Sequence, residues 1–246
     1  MNPSLRIFND LEPLSRAAAD LFVKSAKQAV EEHGRFLVAL SGGNTPIRLY
    51  RLLATEPYQG QIGWRRTHIF WGDERCVPPE DTGSSCGQAK QALLDHVGIP
   101  ADNIHRIRGE LGPALASAEY ANTLKDFAED GHDWPRFDLV LLGMGDDGHT
   151  ASLFPGSEVN PDLPAMPVTA QYQDRPANRV TLTPKVFNSA RQVIFLVTGE
   201  SKAVTLARVL SDDYQSEELP AQRIHPLEGM VTWLVDETAA SKLPKK

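Results

Sequence analysis

Short apolar runs that break off into glycine- or charge-bearing turns, each followed by a helical stretch, constrain this chain most. FLVAL (Phe36–Leu40) runs into SGGNTP, THIFW (Thr67–Trp71) into GDER, DLVLL (Asp138–Leu142) into GMGDDGHTAS, and VIFLVT (Val193–Thr198) into GESKA. An apolar run of this length without polar alternation suits a strand buried on both faces, and such strands belong to parallel sheets crossed by helices. Leu5–Phe8, Ile104–Ile107, Arg179–Thr183 and Val231–Val235 read as further strands. Helical spacing fills the intervals: the stretch from Glu12 with Gly34 as its stop, then Pro46–Ala54, Ser85–Val97, Ala114–Ala128 and Ser201–Leu210. The pattern predicts an α/β fold, a doubly wound and largely parallel sheet with helices on both faces in three layers. One domain over residues 1–246 is expected. Residues 155–176, rich in Pro, Asp and Gln, read as a long functional loop, because the strand–helix rhythm resumes after them.

The charge balance narrows the partners. A net charge of −7 lacks the basic excess of a nucleic-acid binder, although a few local cations still suffice for a small anion. No apolar run reaches the roughly 18 residues of a membrane span, and MNPSLRIFND carries no secretory pattern, so a cytoplasmic protein is expected. The two cysteines, Cys76 and Cys86, lack C-x-x-C spacing and read as reduced thiols rather than a zinc or redox pair. Nothing in the sequence sets the oligomeric state; a monomer is compatible with it.

In a doubly wound sheet, ligands bind beyond the carboxyl ends of the strands, so the turns carry the function. Ser41, Gly42, Gly43, Asn44 and Thr45 form a glycine turn, with Thr45 as a candidate N-cap and Pro46 at the first helical position. Backbone N–H groups at such a helix start suit one phosphate, and the absence of G-K-[ST] excludes a nucleotide-triphosphate P-loop. Asp73, Glu74 and Arg75 follow the next strand. Three adjacent charges are usually just solvated, but an arginine at a strand's carboxyl end can reach a bound anion. Gly143, Gly145 and Gly148 spell G-x-G-x-x-G, yet Asp146 and Asp147 sit inside the motif, where a pyrophosphate would be repelled, and no long helix follows. His149, two residues after Asp147, fits a general base held by a carboxylate. Lys202 at a helix start opposes the helix dipole unless an anion shares that end, and Arg179 is a further candidate cation.

Taken in order, SGGNTP, WGDER, GMGDDGHTASLFPG, RVTLTPKVFN and TGESKA resemble the 6-phosphogluconolactonase family, from the first glycine loop into the last third of the chain. The resemblance implies a Rossmann-like fold of the deaminase/lactonase type. It implies hydrolysis of 6-phospho-D-glucono-1,5-lactone, the second step of the oxidative pentose phosphate pathway, with no metal or cofactor. His149 would then activate water, with Asp147 orienting it or stabilising its protonated form. Arg75 would lie at the reacting end with Asp73 beside it, and backbone N–H groups of the glycine turn, Gly145 included, would receive the oxyanion. Ser41–Thr45, Arg179 and Lys202 would hold the phosphate. No G-x-S-x-G elbow offers a covalent nucleophile. Two other readings stand beside this one. Glucosamine-6-phosphate deaminases are similar but carry a glutamate five residues after the histidine, where this chain has Phe154. A sugar-phosphate sensor would need a DNA-binding segment, and the first 35 residues hold too little for one.

Overall fold

The computed structural model describes residues 3–129, 132–172 and 175–244. Six strands form a parallel sheet in the order β1-β9-β8-β5-β2-β3: β1 (Ser4–Phe8), β2 (Phe36–Leu40), β3 (Thr67–Trp71), β5 (Leu139–Leu142), β8 (Gln192–Val197) and β9 (Met230–Asp236). Every residue of β2 and β5 is buried, as central parallel strands require, whereas β1 at the edge is mostly exposed. From β2 the chain steps outward to β3, and from β5 it steps the other way through β8 to β9. With the right-handed crossovers usual for such connections, steps in both directions put helices on opposite faces and leave a crevice at the β2/β5 switch point.

The helices form where the sequence supplies starts and stops. In α1 (Leu11–His33), Asp10 accepts a hydrogen bond from the Glu12 N–H, and Gly34 closes the helix at φ 81°. Its buried stripe includes Phe22, whose ring meets Phe36 of β2 edge-on at 5.3 Å. Each such fully buried side chain contributes roughly 1.5–3 kcal/mol. Helix α2 (Asn44–Leu53) packs beside α1. Helix α4 (Pro113–Lys125) is tied to the end of β3 by Tyr120, whose hydroxyl bonds both the N–H and the C=O of Trp71 at 2.9 Å. No helix among the described residues is long and apolar enough to cross a membrane.

Beyond the carboxyl end of β3 lies a second sheet, antiparallel and three-stranded, in the order β4-β7-β6: β4 (Asp73–Arg75), β7 (Asn178–Leu182) and β6 (Ala165–Thr169). It corrects three expectations. Asp73–Arg75 is a strand, not a solvated turn, because it pairs with β7 and buries all three residues. The expected irregular loop contains β6, since alternate residues there find a partner strand and a small apolar cluster of Phe154, Met166 and Val168. The segment beginning at Arg179 is a strand of this second sheet, and it ends at Leu182. Ile104–Ile107 is no strand: a single bridge from Ile104 to Ile69 is all it makes, between two short 3₁₀ turns. Helix α3 (Ser85–Ala92) stops before the expected Val97, a 3₁₀ turn taking over at Leu94–His96.

Candidate active site

The turns after β2, β5 and β8 and the strands β4 and β7 enclose a cleft of about 210 Å³ at the switch point. Its wall includes Ser41 through Pro46, Asp73, Arg75, Gly145, His149, Arg179 and Lys202, so the sequence-predicted residues converge there. Asp147 stands behind His149.

The turn after β5 is built around the histidine. His149 Nδ1 lies 2.6 Å from Asp147 Oδ1, and the same oxygen accepts the His149 backbone N–H at 3.1 Å. Burial alone would raise the Asp147 pKa, but the hydrogen bonds and charge of His149 outweigh it and hold the carboxyl below its ordinary value. An ionised acceptor on Nδ1 makes that nitrogen the donor and leaves the Nε2 lone pair for chemistry. Gly145 is required by close approach: a methyl group there would overlap Nδ1 and Cε1 of His149 and the Asp147 carboxylate. The glycines therefore make room for an imidazole, not for a pyrophosphate. The Gly145 N–H donates to the His149 carbonyl at 2.8 Å, so it is not the free oxyanion donor that the sequence suggested.

Aromatic rings fix the imidazole from the other sides. Phe154 lies 4.7 Å from it, and Tyr172 meets it edge-on at 4.5 Å. The Tyr172 hydroxyl donates to Asp146 Oδ1 at 2.5 Å. That bond, against some burial and with help from Lys202, lowers the Asp146 pKa.

The turn after β2 differs from its expected form. Gly43 occupies the N-cap at φ 102°, which glycine adopts freely, and Asn44 begins α2, so Thr45 lies inside the first turn. The cap residue has no side chain to close this helix start, the Gly43 N–H donates to Gln88 Oε1 at 3.4 Å, and the residues of the first turn line the cleft. Thr45 Oγ1 instead reaches Thr198 Oγ1 at 3.0 Å, tying the turn to the end of β8. Ser41 Oγ is buried without a partner among the described residues. Lys202 closes a 3₁₀ turn (Glu200–Lys202) just before the helix Ala203–Val209, rather than lying within that helix.

Across the cleft, β4 and β7 place Arg75 opposite Arg179. Arg75 Nη1 donates to the Gly83 carbonyl at 2.6 Å and to Ser85 Oγ at 3.2 Å, beside Gly42. Glu74, expected to be solvated or functional, is structural: it accepts bonds from the N–H groups of Arg75, Ser85 and Cys86 and from Ser84 Oγ. Burial nonetheless pushes its pKa up, those four bonds opposing the shift. Asp73 accepts from Ser152 Oγ at 2.6 Å. Arg179 is 3% exposed, and its Nε and Nη2 have no partner among the described residues. Cys76 and Cys86 are free thiols, pushed up to about 11 and about 12 by burial and then by the Glu74 charge, so neither is a reactive thiolate at neutral pH. Sequence reasoning missed Tyr172, Arg175, Ser85 and Thr198, which also line the cleft.

A switch-point crevice that joins a carboxylate-held histidine to an open helix start and buried cations defines an α/β enzyme for a small anionic substrate. The chain belongs to the family described as Glucosamine-6-phosphate isomerases/6-phosphogluconolactonase, whose pattern matches residues 9–233. It is 40% identical to a 6-phosphogluconolactonase of Aggregatibacter actinomycetemcomitans over 84% of this chain and 87% of that one. With a 6-phosphogluconolactonase of a Nostoc species the identity is 36% over 99% of both chains. The crystal structure of 6-phosphogluconolactonase from Leishmania guyanensis superposes with a TM-score of 0.89 over all of both chains, at 26% identity.

Proposed function

We propose that this protein hydrolyses 6-phospho-D-glucono-1,5-lactone to 6-phospho-D-gluconate, with His149 as the general base. The lactone carbonyl is already electrophilic, so water needs only a base and a stabilised oxyanion. His149 Nε2 takes a proton from water as its oxygen bonds to C1, and Asp147 carries the imidazolium that forms. The tetrahedral intermediate collapses by breaking the bond from C1 to the ring oxygen, which leaves with the proton from Nε2. One water is consumed and a carboxylic acid and a hydroxyl are made. The open start of α2, from Gly43 through Thr45, and Lys202 bind the phosphate. The buried arginine pair, Arg75 and Arg179, supplies positive charge along the opposite wall.

The observation that carries this reading is the Asp147–His149 pair seated on Gly145, with Phe154 against the ring. Phe154 stands where the deaminase pattern places its glutamate. An apolar ring there has no proton to relay during ring opening, which disfavours amine chemistry in the same cleft. The test supplies freshly generated lactone with 6-phosphogluconate dehydrogenase as coupling enzyme, alongside glucosamine 6-phosphate with ammonia detection. Rapid lactone turnover without ammonia is expected. Ammonia release would transfer the chain to the deaminase reading, and binding without turnover of either would make it a sensor.

A further inference from the structure

Among the cations of the cleft, Arg179 has the least explained surroundings. It is almost wholly buried, forms no salt bridge among the described residues, and leaves two guanidinium donors without partners. Burial works against its charge, Asp73 supports it, and Arg75 and Arg175 oppose it, with a net lowering from the ordinary guanidinium value. A buried, unpaired guanidinium is costly unless an anion arrives or develops beside it.

The anion's identity follows from where the guanidinium lies. Its Cζ sits 5.3 Å from the centre of the Phe154 ring, and that ring lies against His149. Arg75, across the β4–β7 ladder, is turned toward Gly42 and held by Gly83 and Ser85. Lys202 has Asp146 as its charged neighbour and follows the turn that Thr45 meets through Thr198. Arg179 therefore stands one ring away from the base, whereas Lys202 follows a turn tied to the α2 start. The developing oxyanion also lacks one of its expected donors, because the Gly145 N–H is engaged by the His149 carbonyl.

We propose that Arg179 is the catalytic oxyanion donor, acting on the lactone carbonyl beside His149, and is not a phosphate ligand. Phe154 holds its guanidinium in position through a cation–π contact, and the guanidinium, which lines the cleft, receives the oxygen as negative charge grows. The proposal rests on the lactonase reading above. It divides the two arginines opposite to the sequence expectation, which set Arg75 at the reacting end and Arg179 at the phosphate.

The experiment compares Arg179→Ala, Arg179→Lys and Lys202→Ala in kcat and KM on 6-phosphogluconolactone and on unphosphorylated glucono-1,5-lactone, with inorganic phosphate as a competitive probe. Loss of one oxyanion donor should lower kcat by about 10²- to 10³-fold. For Arg179→Ala the factor should be similar on both lactones, with inhibition by phosphate unchanged and turnover partly restored by added guanidinium ion. Arg179→Lys keeps the charge on the same wall, protects against a folding failure, and should still lose kcat rather than phosphate affinity. Lys202→Ala should instead raise KM for the phosphorylated lactone alone and weaken inhibition by phosphate. If an Arg179 variant behaves as described for Lys202→Ala, Arg179 is a phosphate ligand and the proposal is overturned. Failure of the underlying reading looks different: the wild type would turn over neither lactone, or His149→Ala would retain full activity.

Discussion

The cleft has a floor and a roof made on different principles. The floor is the row of turns at the carboxyl ends of β2, β5 and β8, where each functional group is set by its own few residues: Asp147 and His149 by one glycine turn, the α2 start by Gly43. The roof is the antiparallel sheet, where Arg75 faces Arg179 only because strands 104 positions apart pair in register, as their residue numbers give. The floor supplies backbone donors and a base. The roof supplies buried charge that tertiary pairing must hold in place. Local geometry positions chemistry that tolerates water, whereas distant pairing positions cations that water would otherwise screen.

The hardest test of the floor is His149→Ala. General-base removal should cost at least about a hundredfold in kcat, while 6-phosphogluconate still binds. Near wild-type turnover would remove the floor from catalysis altogether. Gly145→Ala sharpens the same point without deleting any functional group. The added methyl displaces the imidazole from Asp147, so kcat should fall about 10-fold or more, given how steeply rate depends on placement. The thermal midpoint should change little; unchanged kinetics would contradict the close approach.

For the roof, Glu74→Gln probes support rather than chemistry. The amide cannot accept all four bonds, and each buried donor left unsatisfied costs about 1–3 kcal/mol. A drop of about 2–12 °C in Tm follows, with KM rising as Arg75 and the start of α3 loosen. A Tm equal to wild type would show that the roof does not depend on this carboxylate.

The smallest effect separates acid inactivation from acid unfolding. His105, stacked on Phe70 with ring centroids 4.5 Å apart, is lowered from 6.5 to about 4 by burial and then by His68. The folded state thus prefers neutral His105, while the unfolded chain takes up a proton near 6.5. Its contribution to stability is complete above that pH and is lost as pH falls toward 4. Melting curves at pH 7 and pH 5 should therefore diverge less in His105→Phe than in wild type. Activity should fall on acidification in both, because His149 works unprotonated. Identical pH slopes of Tm would remove His105 from acid stability.

This contrast also governs what could be read in advance. The parallel strands, their turns and the Asp147–His149 pair were legible because apolar runs and a two-residue spacing are local signals. Gly145 was legible as a glycine, but its engaged N–H was not, since that bond depends on how the turn closes. β4 was hidden because a triplet of charges looks solvated until a partner strand and four donors bury it. β6 was hidden by Pro167 and by its neighbours' loop-like composition, although the alternating burial of Met166 through Thr169 is a faint strand signal. The pairing of Arg75 with Arg179 was hidden for the same reason: a sequence orders residues along the chain, while the ladder decides which of them stand opposite one another.

The pairing of β4 with β7 has a kinetic consequence. Almost every ladder in this molecule joins segments far apart in the chain, and proteins of that kind fold slowly because loop closure precedes the reward of contact. Arg75 and Arg179 face one another only once the loop between them, which carries β5 and its histidine turn, has closed. A partly folded chain can therefore display sheet and helix yet have no roof to its cleft. Recovered turnover during refolding should lag behind recovered secondary structure, so that catalysis itself reports the last step of assembly.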